Sequence, residues 1–311
     1  MDLLITVIFL IIGFVLLVKG SDIFVDGSAS VAKIMGIPSI IVGLTIVSMG
    51  TSAPEAAVSI TAGIAGSNEI AISNLVGSNT FNLLCVAGMS ALISPFLVDK
   101  IVIKRDFPIC LGFMVLTVAM CLSGGVVSRL EGVILFILFA AYISYLVYSA
   151  IKNREVAEDD EKPMSVLKSI IFIVIGIAGV ILGAQFVVDS ARKIATVFGM
   201  SETLIGVTIV AIGTSLPELV TSIVAARKGQ SAIAIGNVVG SNIFNLAFVL
   251  GLSSACNPIG VGSEALIDAF VMLGVNSLGF ILCLSSKKLN RIEGISLVGL
   301  YVIYTVYLLM R

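Results

Sequence analysis

The sequence contains Gly43-Leu-Thr-Ile-Val-Ser-Met-Gly-Thr-Ser-Ala-Pro-Glu55 and, in its second half, Gly206-Val-Thr-Ile-Val-Ala-Ile-Gly-Thr-Ser-Leu-Pro-Glu218, and the two stretches are identical at 9 of 13 positions. A second motif, Asn74-Leu-Val-Gly-Ser-Asn-Thr-Phe-Asn82, returns as Asn237-Val-Val-Gly-Ser-Asn-Ile-Phe-Asn245 at the same offset. Two motifs repeated at one offset indicate that the chain is a duplication of a unit of about half its length.

The composition places this duplication in a membrane. Hydrophobic residues make up 58% of the 311 residues and charged residues only 12%, whereas soluble domains carry about 45–50% apolar and about 25% charged residues. Apolar runs of about 20 residues, the length that crosses a bilayer, alternate with short polar segments. We predict an all-α polytopic membrane protein with ten transmembrane helices, near residues 3–19, 39–65, 71–95, 106–124, 130–150, 166–188, 202–226, 232–255, 265–285 and 292–310, of which the first and sixth can extend to about 32 and 195.

Ten spans and one duplication give two repeats of five helices each. We assign the first repeat to residues 1–151, a charged linker to 152–165 and the second repeat to 166–311. Because five is an odd number, the second repeat must cross the membrane in the opposite direction. Such inverted repeats are typical of secondary transporters, whose substrate sites lie near the midplane between the halves.

The distribution of lysine and arginine predicts the orientation. Thirteen of these residues fall in one set of loops, which includes the charged linker, and four fall in the other set, with Lys19 at a span end left uncounted. Basic residues are enriched in cytoplasmic loops. We therefore expect a multi-pass protein of the plasma (inner) membrane with a cytoplasmic linker and both termini on the extracellular or periplasmic side.

Two carboxylates, Glu55 and Glu218, stand at matched positions within apolar spans. A charged group at the bilayer centre costs at least about 2.5–3.5 kcal/mol, so the pair requires compensation by a divalent cation or by two protons. Thr51 and Glu55 are four residues apart and are expected on one helix face. Pro54 and Pro217 each leave a carbonyl without its helical donor, at Gly50 and Gly213, where we expect the helices to distort.

The atoms around the glutamates are all oxygens. Hydroxyl, amide and carbonyl groups surround them in both copies, and the chain contains no histidine. Such a set suits Ca²⁺, which takes 6–8 oxygen ligands, and also Na⁺, whereas softer metals prefer nitrogen and sulfur. Two carboxylates balance one Ca²⁺. Ions that compete for the same carboxylates produce antiport.

The paired Gly-Thr-Ser-x-Pro-Glu and Gly-Ser-Asn-x-Phe-Asn motifs resemble the two alpha-repeats of the cation/calcium exchanger superfamily, and specifically its Na⁺/Ca²⁺ exchanger branch. The resemblance implies alternating access around central ion sites, in which the first and sixth helices slide across the other eight. It implies that the Ca²⁺ ligands are Thr51, Glu55, Thr214 and Glu218. It further implies Na⁺ ligands at Ser48, Ser52, Glu55, Ser78, Ala211, Ser215, Glu218 and Ser241, with Ser48 and Ala211 contributing backbone carbonyls, and a polar lining by Asn82 and Asn245.

Other functions remain open at this stage. A H⁺/Ca²⁺ antiporter could use the same scaffold, because protonation of the two glutamates would also release Ca²⁺. An inverted pair of motifs is less consistent with a channel, and the lack of histidine is less consistent with an intramembrane enzyme. We therefore expect a transporter and not an enzyme. We expect it to work as a monomer in the lipid bilayer, to need no cofactor beyond the transported ions and to bind no nucleic acid. Members of the potassium-requiring branch of the superfamily carry Asp where this chain has Asn245, so the resemblance implies no strict K⁺ requirement.

Overall fold

Long apolar helices dominate the structure, a computed structural model that describes residues 3–152, 163–200, 205, 209 and 211–310. The prediction of a mostly helical, polytopic membrane protein is confirmed. The helices are α1 (Leu3–Met35), α2 (Ser39–Thr51), α3 (Ala53–Ile64), α4 (Asn68–Ile93), α5 (Val102–Leu122), α6 (Arg129–Lys152), α7 (Val166–Val197), α8 (Ala211–Thr214), α9 (Leu216–Arg227), α10 (Ser231–Cys256), α11 (Ser263–Ser286) and α12 (Arg291–Met310).

Among the described residues, eight helices are long and apolar enough to cross a membrane, and the bent pair α2 and α3 raises the number to nine. These elements match nine of the predicted spans to within a few residues, once the extensions of the first and sixth are included. The remaining span was predicted at 202–226, and its residues 202–204, 206–208 and 210 lie outside the described part of the chain. Ten helices in two inverted repeats therefore stays a prediction.

Helices α1 and α7 are the longest, with 33 and 32 residues. At 1.5 Å per residue each is about 50 Å long, which exceeds the hydrocarbon thickness of about 30 Å. The surplus length requires these two helices to tilt or to project beyond the bilayer.

Small residues at intervals of seven bring α1 and α7 into backbone contact. On α1 they are Gly13, Gly20 and Gly27, which approach residues 183–187, 176–180 and 169–173 of α7 respectively, so the two helices run antiparallel. A Cβ atom on Gly20 would lie 2.7 Å from the backbone nitrogen of Val180. Close packing of backbones stabilises helix pairs in lipid, where the hydrophobic effect between helices is absent.

Two short antiparallel ribbons join the halves of the chain. Strand β1 (Phe96–Leu97) pairs with β4 (Lys288–Leu289), and β2 (Val126–Val127) pairs with β3 (Ile259–Gly260). The offset that relates the repeated motifs makes β3 the counterpart of β1 and, to within a single position, β4 the counterpart of β2. Strand β1 therefore pairs with the counterpart of β2, and β2 pairs with the counterpart of β1. This exchange is expected when a two-fold axis relates the two halves.

The helices that carry the repeated motifs form the centre of the molecule. Helix α10 is buried at every position from Ile233 to Ile243. Both α4 and α10 contain a π-helical turn, over Asn82–Ala87 and Phe244–Val249. Such turns interrupt the regular backbone hydrogen bonding and are frequent at functional sites.

Candidate ion-binding site

The two glutamates lie in equivalent positions at the starts of two short helices. Helix α2 bends by 55° relative to α3, and the break falls at Ser52, whose φ and ψ are −82° and 9°. Its counterpart Ser215, with φ −94° and ψ 7°, separates α8 from α9. Glu55 and Glu218 follow in the first turns of α3 and α9, where the positive end of the helix dipole favours an anion.

The distortion expected at Gly50 and Gly213 lies two residues further along the chain, at Ser52 and Ser215. Pro54 and Pro217 occupy the first turns of α3 and α9, a position that tolerates proline because its missing N–H would have no helical partner there. The chain breaks just before each proline instead of kinking around the glycine. Thr51 ends α2 and Glu55 lies in the first turn of α3, so the expectation that the two residues share one helix face is wrong.

Each glutamate receives a hydrogen bond from a serine of the opposite half. The Ser52 hydroxyl donates to Oε1 of Glu218 at 2.7 Å, and the Ser215 hydroxyl donates to Oε1 of Glu55 at 2.8 Å. All four side chains are at most 1% exposed. The carboxylates are thus held at the contact between the two halves of the chain.

Three further serines from the predicted set surround these bonds. Oγ of Ser241 lies 2.9 Å from Oγ of Ser52, and Oγ of Ser78 lies 3.2 Å from Oγ of Ser215. The Ser48 carbonyl is 3.5 Å from the Ser241 hydroxyl. The structure therefore gathers the serines of both copies around the glutamates.

The two threonines are the last residues before the helix breaks. The Thr51 hydroxyl donates to Oδ1 of Asn237 at 3.0 Å. Thr214 is the last residue of α8 and is half-buried. Ala211 is the first residue of α8, and its side chain lies outside the described part of the structure.

Four buried acceptor oxygens of the predicted site residues have no hydrogen-bond donor among the described residues. They are Oε2 of Glu55, Oε2 of Glu218, Oδ1 of Asn82 and Oδ1 of Asn245. A buried acceptor without a donor costs about 1–3 kcal/mol, and more if it is charged. Such a set, supplied equally by the two halves of the chain, is suited to binding a cation.

The described residues bring no group of three or more His, Cys, Asp or Glu side chains together. The anionic part of the site is therefore the glutamate pair, and the other oxygens are neutral. When both carboxyl groups are ionised, the pair carries a charge of −2, which matches one divalent cation or two monovalent ones.

Four further asparagines, which were not among the predicted site residues, form hydrogen bonds next to the predicted site residues. Nδ2 of Asn74 and Nδ2 of Asn237 donate to the hydroxyls of Ser59 and Ser222, both at 2.9 Å. Asn79 and Asn242 contact the lining asparagines directly. All four lie inside the duplicated motif, so their recurrence in apolar spans was the available signal.

Comparison with known proteins places these features in a family. The family model described as sodium/calcium exchanger protein matches residues 5–148 and 168–310. The chain is 37% identical to the putative antiporter CaxA of Alkalimonas amylolytica over 97% of this chain and 98% of that protein. It is 35% identical to the inner membrane protein YrbG of Escherichia coli over 95% of this chain and 94% of that protein.

A solved structure is similar along nearly the whole length. The sodium-calcium exchanger NCX_Mj, soaked with 2.5 mM Na⁺ and 0.1 mM Ca²⁺, superimposes with a TM-score of 0.84 at 34% identity, covering 96% of this chain and 97% of that one. Similarity to these proteins therefore extends along nearly the whole sequence and, for the solved structure, to the helical arrangement.

Proposed function

Because the chain belongs to the sodium/calcium exchanger family, we propose that it is a secondary active antiporter that exchanges Na⁺ for Ca²⁺ by alternating access. The observation that carries the proposal is the set of four buried acceptor oxygens without donors, two of them on Glu55 and Glu218. Family membership supports cation/Ca²⁺ antiport in general. The choice of sodium rests on the serines around the glutamates, and the ligand set rests on the motif resemblance together with the contacts of these serines.

In this proposal one Ca²⁺ is bound by both glutamates and by oxygens at the helix breaks. The carboxylates neutralise its charge, and hydrogen bonds from serines of the opposite half hold them in place. The proposed Ca²⁺ ligands are Thr51, Glu55, Thr214 and Glu218.

Sodium binding at the same centre would displace Ca²⁺, because the glutamates serve both ions. The serines that lie within hydrogen-bonding distance of one another supply neutral oxygens, which Na⁺ needs and a proton does not. The proposed Na⁺ ligands are Ser48, Ser52, Glu55, Ser78, Ala211, Ser215, Glu218 and Ser241, with Asn82 and Asn245 lining the centre.

The same proposal includes two inverted five-helix repeats, over residues 1–151 and 166–311, joined by a cytoplasmic linker over 152–165. The antiparallel contact of α1 with α7 and the reciprocal strand pairs support this arrangement. Both halves of the site come from one chain, which supports function as a monomer. The name of the inner membrane relative and the charge distribution support an inner-membrane location with both termini outside.

A flux experiment tests the exchange directly. The purified protein is reconstituted into Na⁺-loaded liposomes, and uptake of radioactive Ca²⁺ is followed after dilution into Na⁺-free buffer. The variants Glu55→Gln and Glu218→Gln should lower the rate by at least about 100-fold, since removing one partner of a buried charge pair costs about 3–5 kcal/mol. Glu69→Gln is the matched control, because Glu69 is exposed at the start of α4.

A parallel run with a pH gradient and no Na⁺ separates the two coupling ions. Uptake that requires the Na⁺ gradient supports the proposal. Uptake driven only by the pH gradient would make the protein a H⁺/Ca²⁺ antiporter that uses the same glutamates. The absence of Ca²⁺ flux under either gradient would refute Ca²⁺ transport.

A further inference from the structure

Four asparagines form a hydrogen-bonded chain across the interface between the two halves. Nδ2 of Asn82 donates to Oδ1 of Asn242 at 3.1 Å, and Nδ2 of Asn245 donates to Oδ1 of Asn79 at 3.0 Å. Asn79 and Asn242 also bond to each other, since the side-chain amide of each donates to the backbone carbonyl of the other, at 3.1 and 3.4 Å. All four are at most 1% exposed.

We infer that Asn79 and Asn242 are positioning residues that turn the side-chain oxygens of Asn82 and Asn245 toward the ion site. The inference rests on the proposed function and deepens it, because it explains why the lining residues present acceptors to a cation. Without such a constraint an asparagine amide can rotate by half a turn and present its NH₂ group instead.

Backbone carbonyls fix the polarity of the whole network. A carbonyl oxygen can only accept, so the group that Asn79 presents to the carbonyl of Asn242 must be its NH₂, and the reverse holds for Asn242. The remaining oxygen of each side chain then faces the lining asparagine of the opposite half. Asn82 and Asn245 must therefore donate their NH₂ groups to these oxygens, so their own side-chain oxygens take no part in the network.

The oxygens released in this way are the ones without donors. Oδ1 of Asn82 and Oδ1 of Asn245 are buried, with no hydrogen-bond partner in the described structure. A reversed amide would present NH₂ protons, which repel a cation, in place of these two free acceptors. The network therefore selects for cation binding at the centre, at the cost of two unsatisfied acceptors when no ion is bound.

One member of the network breaks the relation between the halves. The second proton of the Asn242 amide reaches Oδ1 of Asn276 on α11 at 3.1 Å, and Nδ2 of Asn276 donates to the Met272 carbonyl at 2.8 Å. At the offset of the repeated motifs, the position in the first half that corresponds to Asn276 is Phe113. The polarity of Asn242 is thus fixed by two acceptors, one of which is oriented by its own helix.

Double-mutant cycles test whether Asn242 acts through Asn82. We expect Asn242→Ala and Asn82→Ala each to raise the Na⁺ concentration for half-saturation by about 3- to 10-fold, the loss expected for one buried hydrogen-bonding partner. The double variant should be no worse than Asn82→Ala alone. The readout is Na⁺-induced thermal stabilisation of the purified protein, measured beside Na⁺-driven Ca²⁺ flux.

A purely structural role would give a different pattern. It would lower the melting temperature without ions and leave the Na⁺ half-saturation unchanged, or it would make the two substitutions additive, and either result overturns the inference. Asn257→Ala is the matched control, since this side chain donates to the Gly63 carbonyl at 2.9 Å across the halves but lies outside the network. It should leave the Na⁺ half-saturation unchanged.

The other half of the network supplies an independent cycle. If Asn242→Ala does not fold, the pair Asn79→Ala and Asn245→Ala gives the same test, with additivity again contradicting the inference. Thermal stabilisation by Na⁺ does not require transport. A wild-type protein that binds Na⁺ but moves no Ca²⁺ would therefore refute the proposed function while the cycles still decide the role of the asparagines.

Discussion

The Ser215 hydroxyl lies 2.8 Å from Oε1 of Glu55, although 160 residues separate the two in the chain. The same bond is made in the opposite sense by Ser52 and Glu218. Neither half of the molecule can therefore hold its own glutamate in this way. A site that needs both halves responds to any movement of one half against the other, which is the property that alternating access requires.

This relationship predicts that loss of either serine hydroxyl weakens Na⁺ binding. Ser215→Ala and Ser52→Ala each remove a donor to a buried carboxylate, an interaction of about 1.5–3 kcal/mol, together with a proposed Na⁺ ligand. We expect the Na⁺ half-saturation for Ca²⁺ exchange to rise by about tenfold or more. Ser277→Ala is the control, because its hydroxyl donates only locally, to the Leu273 carbonyl at 2.7 Å. Unchanged Na⁺ dependence in both site variants would contradict the proposed ligand set.

We predict that exchange does not require K⁺. The chain has the neutral Asn245 where the potassium-requiring branch carries Asp, so the site lacks the additional negative charge of a third carboxylate. Nδ2 of Asn245 donates to Oδ1 of Asn79 at 3.0 Å, which an aspartate could do only if protonated. Ca²⁺ uptake by the wild type should proceed at the same rate when K⁺ is withdrawn from both sides of the liposome. The comparison variant is Asn245→Asp, which adds a carboxyl group to the site. A wild-type flux that stops without K⁺ would show that the prediction is wrong.

The duplication predicted which residues lie together at the centre of the molecule. Two glutamates recur at matched positions in apolar spans, where charge is costly, and the structure brings them into contact with serines of the repeated motifs. The binding of ions by these residues stays a proposal. The helical class followed equally directly from composition, and the limits of the observed helices differ from the predicted ones by only a few residues.

The contacts between the two halves of the chain could not be predicted from the sequence. Repetition indicates which residues are equivalent, but it does not say whether Ser52 faces Glu55 or Glu218. The helix break lies at Ser52, two residues after the predicted position, because proline prefers the first turn of a new helix to the interior of a distorted one. The polarity of the asparagine network was also hidden, because it depends on backbone carbonyls that approach from the other half.

The contact between α1 and α7 predicts a strong effect of a single methyl group. In Gly20→Ala the added Cβ would lie 2.7 Å from a backbone nitrogen of α7, so the helices must separate. We expect a loss of about 1–3 kcal/mol in stability, as for other overpacked sites. Gly112→Ala on α5 is the matched control, since its Cβ would meet nothing within 4 Å, and it should be neutral or slightly stabilising. Thermal unfolding in detergent measures both, and equal melting temperatures would refute the tight contact.

The last prediction concerns Lys228, which follows α9 and holds two carboxylates of α1. Its Nζ lies 2.6 Å from Oδ1 of Asp22 and 2.6 Å from Oδ1 of Asp26. Burial lowers the pKa of Lys228, but hydrogen bonds to both aspartates and their charges outweigh it and raise the pKa above its usual value. The stabilisation is therefore fully present below the ordinary lysine pKa of about 10.4 and is lost only as the pH rises through the raised value.

Because the three side chains are 28%, 41% and 45% exposed, the pairs contribute no more than about 1 kcal/mol. Lys228→Gln should thus lower the melting temperature slightly between pH 6 and 9 and at low salt, whereas in about 1 M NaCl, where the Debye length falls to about 3 Å, it should match the wild type. Arg227→Gln, at the exposed neighbouring position, is the control for loss of a charge, and a destabilisation by Lys228→Gln that persists in high salt would contradict an ion-pair origin.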